Sequence, residues 1–167
     1  MLATGDAMSK TVPKATPTIR EFETKSAAGT IAIGRKLADL LKPPRLLILR
    51  GDLGAGKTTL VKGIACALGA ADPDEVTSPT FTLIHEYAGT ESGQPDGRPI
   101  KLLHLDLYRL DAERQLDSLG LDDLQTEDAL ILIEWGEKFK SIRNRADGEI
   151  SVTATGGDTR RITLTLK

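Results

Sequence analysis

A chain of 167 residues with a formal charge of −2 has room for one hydrophobic core and carries no global field that would draw it to nucleic acid or an anionic membrane. Cys66 is the only cysteine, which excludes an internal disulfide, fits a reducing cytoplasmic setting and leaves packing as its expected role. No run of about eighteen apolar residues is present, and the opening MLATGDAMSKTVPKATP lacks the apolar stretch of a secretory signal, so a soluble, unexported protein without a membrane partner is expected.

Residues 1–18, polar and containing Pro13 and Pro17, read as a flexible tail ahead of one domain over 19–167. From Thr24 to Leu41, Ala27, Ile31, Gly34, Ala38 and Leu41 recur at helical spacing, with Thr24 as N-cap and KPP as the stop. LLIL at 46–49 is too short for a buried helix and apolar on both faces, which suits a parallel strand covered on each side. A helix follows from Lys57 to Leu68, stopped by Gly69. TFTLIHEYAG and PIKLLHLDLYRL predict two strands, joined by TESGQPDGRP as a long, mobile loop. Asp111 to Asp128 reads as short helices and ALILIEWG as another central strand. EISVTAT and RRITLTLK alternate around GGD, which predicts a terminal hairpin with one wet face. The order of these elements predicts an α/β fold of three layers, like that of P-loop NTPases, with a mostly parallel central sheet and antiparallel edge strands.

The loop Gly51, Asp52, Leu53, Gly54, Ala55, Gly56, Lys57, Thr58, Thr59 satisfies G-x-x-x-x-G-K-[ST] between a strand and a helix. Its glycines let successive N–H groups turn inward onto phosphate oxygens, and the helix N-terminus adds unpaired donors and the positive end of its dipole. Lys57 can reach the β and γ phosphates, and the Thr58 hydroxyl can ligate Mg²⁺. Such a site needs a carboxylate near the metal at the tip of a neighbouring strand. Asp106 ends LLHLD and Glu134 ends LILIE, and both are candidates for metal and catalysis beside Lys57. DSLG (117–120) and NRAD (144–147) imitate guanine-reading motifs, but neither follows an apolar strand and Arg145 replaces the required lysine, so ATP is expected. His85 and His104 occupy alternating strand positions without a metal-binding cluster and are expected to be structural.

GDLGAGKTT (51–59), TSPTFTLIHEY (77–87), HLDLYRL (104–110) and IEWGEKF (133–139), in this order, resemble the bacterial TsaE (YjeE) family of small P-loop ATPases. The resemblance covers Thr24 to Phe139 and departs at Gly136, where many relatives carry proline. It implies an ATPase required for threonylcarbamoyladenosine formation on tRNA, docking on the partner enzymes TsaD and TsaB and resetting them by hydrolysis. Carried over, Lys57 and Thr58 would hold phosphate and Mg²⁺, Asp106 and Glu134 would serve metal and water, Ser78 to Thr82 would sense the nucleotide, and Trp135 would sit beside it.

Between Asp111 and Asp128 seven acids face Arg114 alone, whereas Lys138, Lys140, Arg143 and Arg145 cluster without an acid. The basic run is the better candidate for a tRNA contact or an acidic partner surface, and either run can equally be a solvated face. No free arginine finger can be named, Arg109 lying too close to a strand end, so slow hydrolysis by the isolated chain is expected. A small-molecule or nucleotide kinase using the same P-loop is the alternative, although the one long loop carries only Arg98 where kinase lids are arginine-rich.

Overall fold

A computed structural model describes residues 16–167, so the expected tail lies, up to residue 15, outside the described residues. The chain runs β1 (Thr18–Thr24), α1 (Ala27–Leu40), β2 (Arg45–Arg50), α2 (Lys57–Ala67), β3 (Ile84–Thr90), β4 (Pro99–Asp106), α3 (Glu113–Leu116), α4 (Leu121–Leu124), β5 (Ala129–Glu134), α5 (Lys140–Arg145), β6 (Gly148–Gly156) and β7 (Thr159–Leu166). The strands form one sheet in the order β1–β7–β6–β2–β5–β4–β3. Its centre, β6–β2–β5–β4, is parallel, and the flanking pairs β1–β7, β6–β7 and β3–β4 are antiparallel.

The central strands are the ones that read as apolar on both faces, and all six residues of β5 are buried. Alternation sends Leu47, Leu49, Leu102, Leu130 and Leu132 to the face covered by α1 and α2. The opposite face takes Leu46, Ile48, Leu103, Leu105, Ile131 and Ile133, which pack with Leu116, Leu121, Phe139 and Ile142 of the short helices. The same period carries His104 and Asp106 in register with Leu102, and Glu134 in register with Leu132, onto the α1/α2 face.

The helices α1 and α2 approach backbone to backbone. A Cβ added at Gly63 would lie 2.0 Å from the Ile31 carbonyl oxygen, and one at Gly34 would lie 2.3 Å from that of Leu60. Gly63→Ala is expected to destabilise the fold by about 1–3 kcal/mol despite alanine's better helix propensity, because the obstructing atom is backbone and both helices must shift. Thermal melting tests this, and an unchanged midpoint would contradict the close approach.

Three local expectations are corrected. β1 was not anticipated, and Thr24 ends it instead of capping α1; the cap is Ser26, whose Oγ accepts from Gly29 N–H at 3.0 Å. Thr24 is buried, its hydroxyl 2.9 Å from that of Thr30. The strand expected from Thr80 begins at Ile84, and the one expected to reach Leu110 stops at Asp106. α5 was also missed, since Ile142 is its one buried residue and leaves no apolar stripe to read. The 91–98 loop turns back onto the far end of α2, where Thr90 N–H donates to Leu68 O at 2.8 Å.

Candidate functional site

The turn between β2 and α2 has the backbone its glycines permit. Gly54 and Gly56 sit at φ 78° and 106°, in the left-handed region that favours residues without a Cβ. Gly56 directly precedes the first helical residue, Lys57, so the unpaired N–H groups of the α2 N-terminus open at this loop. Asp52, Leu53 and Gly54 are exposed, whereas Ala55 and Lys57 are buried. From the terminal hairpin, Arg160 Nε donates to Ala55 O at 2.7 Å and its guanidinium also bonds Gly157 O and Thr159 O, bracing the loop from the side. The sequence offered no signal for this contact, which joins residues 105 apart.

Lys57 is 7% exposed, and its ammonium group has three neighbours. Nζ donates to Gly51 O at 2.7 Å, lies 4.0 Å from Glu134 Oε2, and stands 4.6 Å from the centre of the Trp135 ring. Trp135 takes a left-handed backbone at φ 64° at the end of β5 and tilts against Tyr108 at 5.3 Å. Backbone of this kind on a bulky residue costs about 1–3 kcal/mol and is held by its surroundings. Gly136, the point of departure from the resembled pattern, opens a short 3₁₀ turn, Gly136–Lys138.

Asp106 and Glu134 are register partners on the adjacent parallel strands β4 and β5, and both are 4% exposed. Asp106 Oδ2 accepts from Ser78 Oγ and Thr80 Oγ1, each at 3.3 Å, while its Oδ1 accepts from Tyr108 N–H at 2.9 Å. The segment carrying those hydroxyls is anchored at Leu83, also left-handed at φ 67°, whose carbonyl accepts from Asp106 N–H at 3.0 Å. Glu134 Oε1 accepts from His104 Nε2 at 3.0 Å. His104, expected to be structural, therefore touches the site, whereas His85 lies on β3 and its Nδ1 is 3.1 Å from Thr77 O.

A cleft of about 410 Å³ gathers Lys57, Thr58, Thr59, Ser78, Thr80, Asp106, Tyr108, Glu134 and Trp135. A second, of about 720 Å³, lies across the loop and shares Leu53, Gly54 and Trp135 with the first; Gly51, Asp52, Ala55, Glu137 and Val152 line it as well. Every residue singled out in the loop and at the two strand tips thus lines one or both clefts. Among the described residues no group of three or more His, Cys, Asp or Glu stands ready to hold a metal alone. One hydroxyl and two carboxylates are hard oxygen donors, and that set fits Mg²⁺, which takes few protein ligands and completes its shell with phosphate and water.

The charge runs turn out to face each other. Ser141 donates to Glu113 from its hydroxyl at 2.6 Å and its N–H at 3.2 Å, and these bonds hold the Glu113 carboxyl below its ordinary range. Arg145 pairs with Asp122 and donates to Gln125 Oε1. Lys138 donates to the carbonyls of Leu107 and Tyr108, and Arg143 to that of Glu137. Three of the four cations in the basic run are therefore engaged within the chain. Arg109 stacks over Phe81 at 4.4 Å and does not line the 410 Å³ cleft. No helix among the described residues is long and apolar enough to cross a membrane.

The chain is similar to known proteins along most of its length. Residues 24–162 match the family model described as threonylcarbamoyl adenosine biosynthesis protein TsaE. Proteins named tRNA threonylcarbamoyladenosine biosynthesis protein TsaE are similar to this chain in several bacteria. The one from Bacillus subtilis is 37% identical over 145 residues, covering 87% of this chain and 84% of its own. That from Aquifex aeolicus is 38% identical over 122 residues, with 73% and 80% covered, and that from Nostoc is 39% identical over 133 residues, with 77% and 74% covered. A crystal structure of YdiB from Bacillus subtilis superposes with a TM-score of 0.63 at 32% identity, covering 92% of this chain and 88% of that one. The match extends past Phe139 into the terminal hairpin, beyond the blocks that first carried the resemblance. A P-loop facing two strand-tip acids, a family model spanning most of the chain and relatives more than a third identical leave one conclusion: the chain belongs to the TsaE family.

Proposed function

We propose that this chain is a Mg²⁺-dependent ATPase acting in the formation of threonylcarbamoyladenosine on tRNA, in a complex with TsaD and TsaB that raises its turnover. The observation that carries the reading is the convergence of Lys57, Thr58, Asp106 and Glu134 on one cleft at the α2 N-terminus. The triphosphate lies along the loop amides, and the 720 Å³ cleft across Gly54 and Trp135 takes the base and ribose. To reach phosphate, Lys57 exchanges its bond to Gly51 O for the β and γ oxygens. That movement also leaves Glu134 Oε2 free to face the reacting centre.

Thr58, Asp106 and Glu134 would hold Mg²⁺, which when bound neutralises charge developing on the phosphates. The two carboxylates share metal and water. As the water oxygen bonds to the γ-phosphorus and the bridging P–O bond breaks, a carboxylate oxygen orients the water and the proton passes by way of that group to the phosphate product. No arginine lines the 410 Å³ cleft, and an arginine supplied from outside such a site is worth about 10³–10⁵ in rate, which supports slow turnover by the chain alone.

The kinase alternative loses its lid candidate. The 91–98 loop sits at the C-terminal end of α2, opposite the phosphate end, and Arg98 lies 3.9 Å from Glu91 in the same loop. The pathway is tested by depleting the protein in its native cell and measuring tRNA nucleosides by mass spectrometry. Loss of threonylcarbamoyladenosine is expected, and an unchanged profile would overturn the assignment. Adding purified TsaD and TsaB is expected to raise ATP turnover by at least tenfold, and an indifferent rate would remove them as partners.

A further inference from the structure

For Glu134 to face metal and water, something must aim its carboxylate. We infer that His104 is a positioning residue for Glu134, an inference that rests on the ATPase reading. The side chain of His104 is fully buried, with 0% exposure, two residues before the end of β4. A buried polar ring within a leucine-rich strand is costly unless it is hydrogen-bonded, so its partner is where its role lies. Among the described residues its polar contact is Nε2 to Glu134 Oε1 at 3.0 Å. A carboxylate only accepts, so Nε2 carries the hydrogen and donates it.

The two oxygens of Glu134 are thereby made unequal. Oε1 is fixed from the sheet side by a ring that packing holds rigid, and Oε2 is turned to the cleft, 4.0 Å from Lys57 Nζ. Lys57 belongs to the mobile half of this arrangement, because it must leave for the phosphate. His104 does not move with the nucleotide. When Lys57 departs, the imidazole N–H is the contact that keeps Oε2 pointed at the metal and water, and outer groups of this kind typically change activity by about 10–100-fold when lost. The register supplies the geometry: His104 pairs with Leu132 across β4 and β5, one alternation short of the Asp106–Glu134 pair, so the ring reaches the carboxylate diagonally from below.

The test compares two side chains of similar length, with and without a donor. His104→Met is expected to lower single-turnover ATP hydrolysis about 10–100-fold while ATP affinity, read from Trp135 fluorescence, stays within about twofold. His104→Gln, whose amide N–H can donate to Oε1, is expected to stay within about threefold of the native rate. Equal losses in the two folded variants would show that ring shape and not donation matters, and no loss in either would show that Glu134 needs no anchor; both overturn the inference. Should His104→Met fail to fold, a folded His104→Gln as slow as Glu134→Gln overturns it equally. The Glu134→Gln control separates the two levels: its retaining native turnover would fail the ATPase reading of Glu134 itself, whereas its loss beside an active His104→Met fails only the positioning role.

Discussion

Replacing Glu134 by glutamine is expected to lower ATP hydrolysis by about 10²–10⁴-fold while leaving the protein folded and able to bind ATP. The amide is nearly isosteric and keeps an acceptor oxygen for His104 Nε2, so β5 and the packing behind it stay as they are. At the other position the variant presents an N–H₂ group toward Lys57 and the proposed Mg²⁺ position, where the native chain presents an anionic oxygen. That group neither ligates Mg²⁺ nor accepts a proton from water. Binding survives because the loop amides, the helix N-terminus and Lys57 are untouched. Stopped-flow Trp135 fluorescence for binding and single-turnover phosphate release for chemistry measure the two separately. A rate within threefold of native would remove Glu134 from the mechanism.

The second large effect is expected at Lys57. Lys57→Met should weaken ATP binding by about ten- to 150-fold, the range that corresponds to losing a charge-assisted hydrogen bond worth about 1.5–3 kcal/mol. The fold should change little. Lys57 lines the cleft, its bond to Gly51 O is one that methionine leaves to water, and Glu134 keeps its contact to His104. A melting midpoint within about 3 °C of native is expected, about 1 kcal/mol for a domain of this size. Loss of ATP binding together with a collapsed midpoint would mean that Lys57 acts on the structure and not on the phosphates. Isothermal titration with ATP and Mg²⁺, set beside a thermal melt, distinguishes these outcomes.

Much of this site is legible in the sequence. The spacing of Gly51, Gly56, Lys57 and Thr58 between an apolar run and a helical one specifies a phosphate turn, because the backbone path and donor set follow from residue types within nine positions. Apolar runs ending in Asp106 and Glu134 likewise mark two strand tips, since a strand buried on both faces admits a carboxylate only where it emerges. The terminal hairpin could be read from alternation around GGD for the same local reason.

What could not be read is what depends on neighbours far apart in the chain. Nothing in LLIL, LLHLD or LILIE says that β5 inserts between β2 and β4, and only that order sets Asp106 beside Glu134 and brings both into one cleft with Lys57. His104 looked like one more residue of an alternating strand; its bond to Glu134 spans 30 positions and exists because two parallel strands share a register. Arg160 reaches the phosphate loop across 105 positions, and the opposed charge runs meet through α5, which has no apolar stripe to announce it. The chemistry of each group was determined by its residue type and close neighbours. Which groups act together was decided by burial of the central strands, a cooperative result of packing two faces at once.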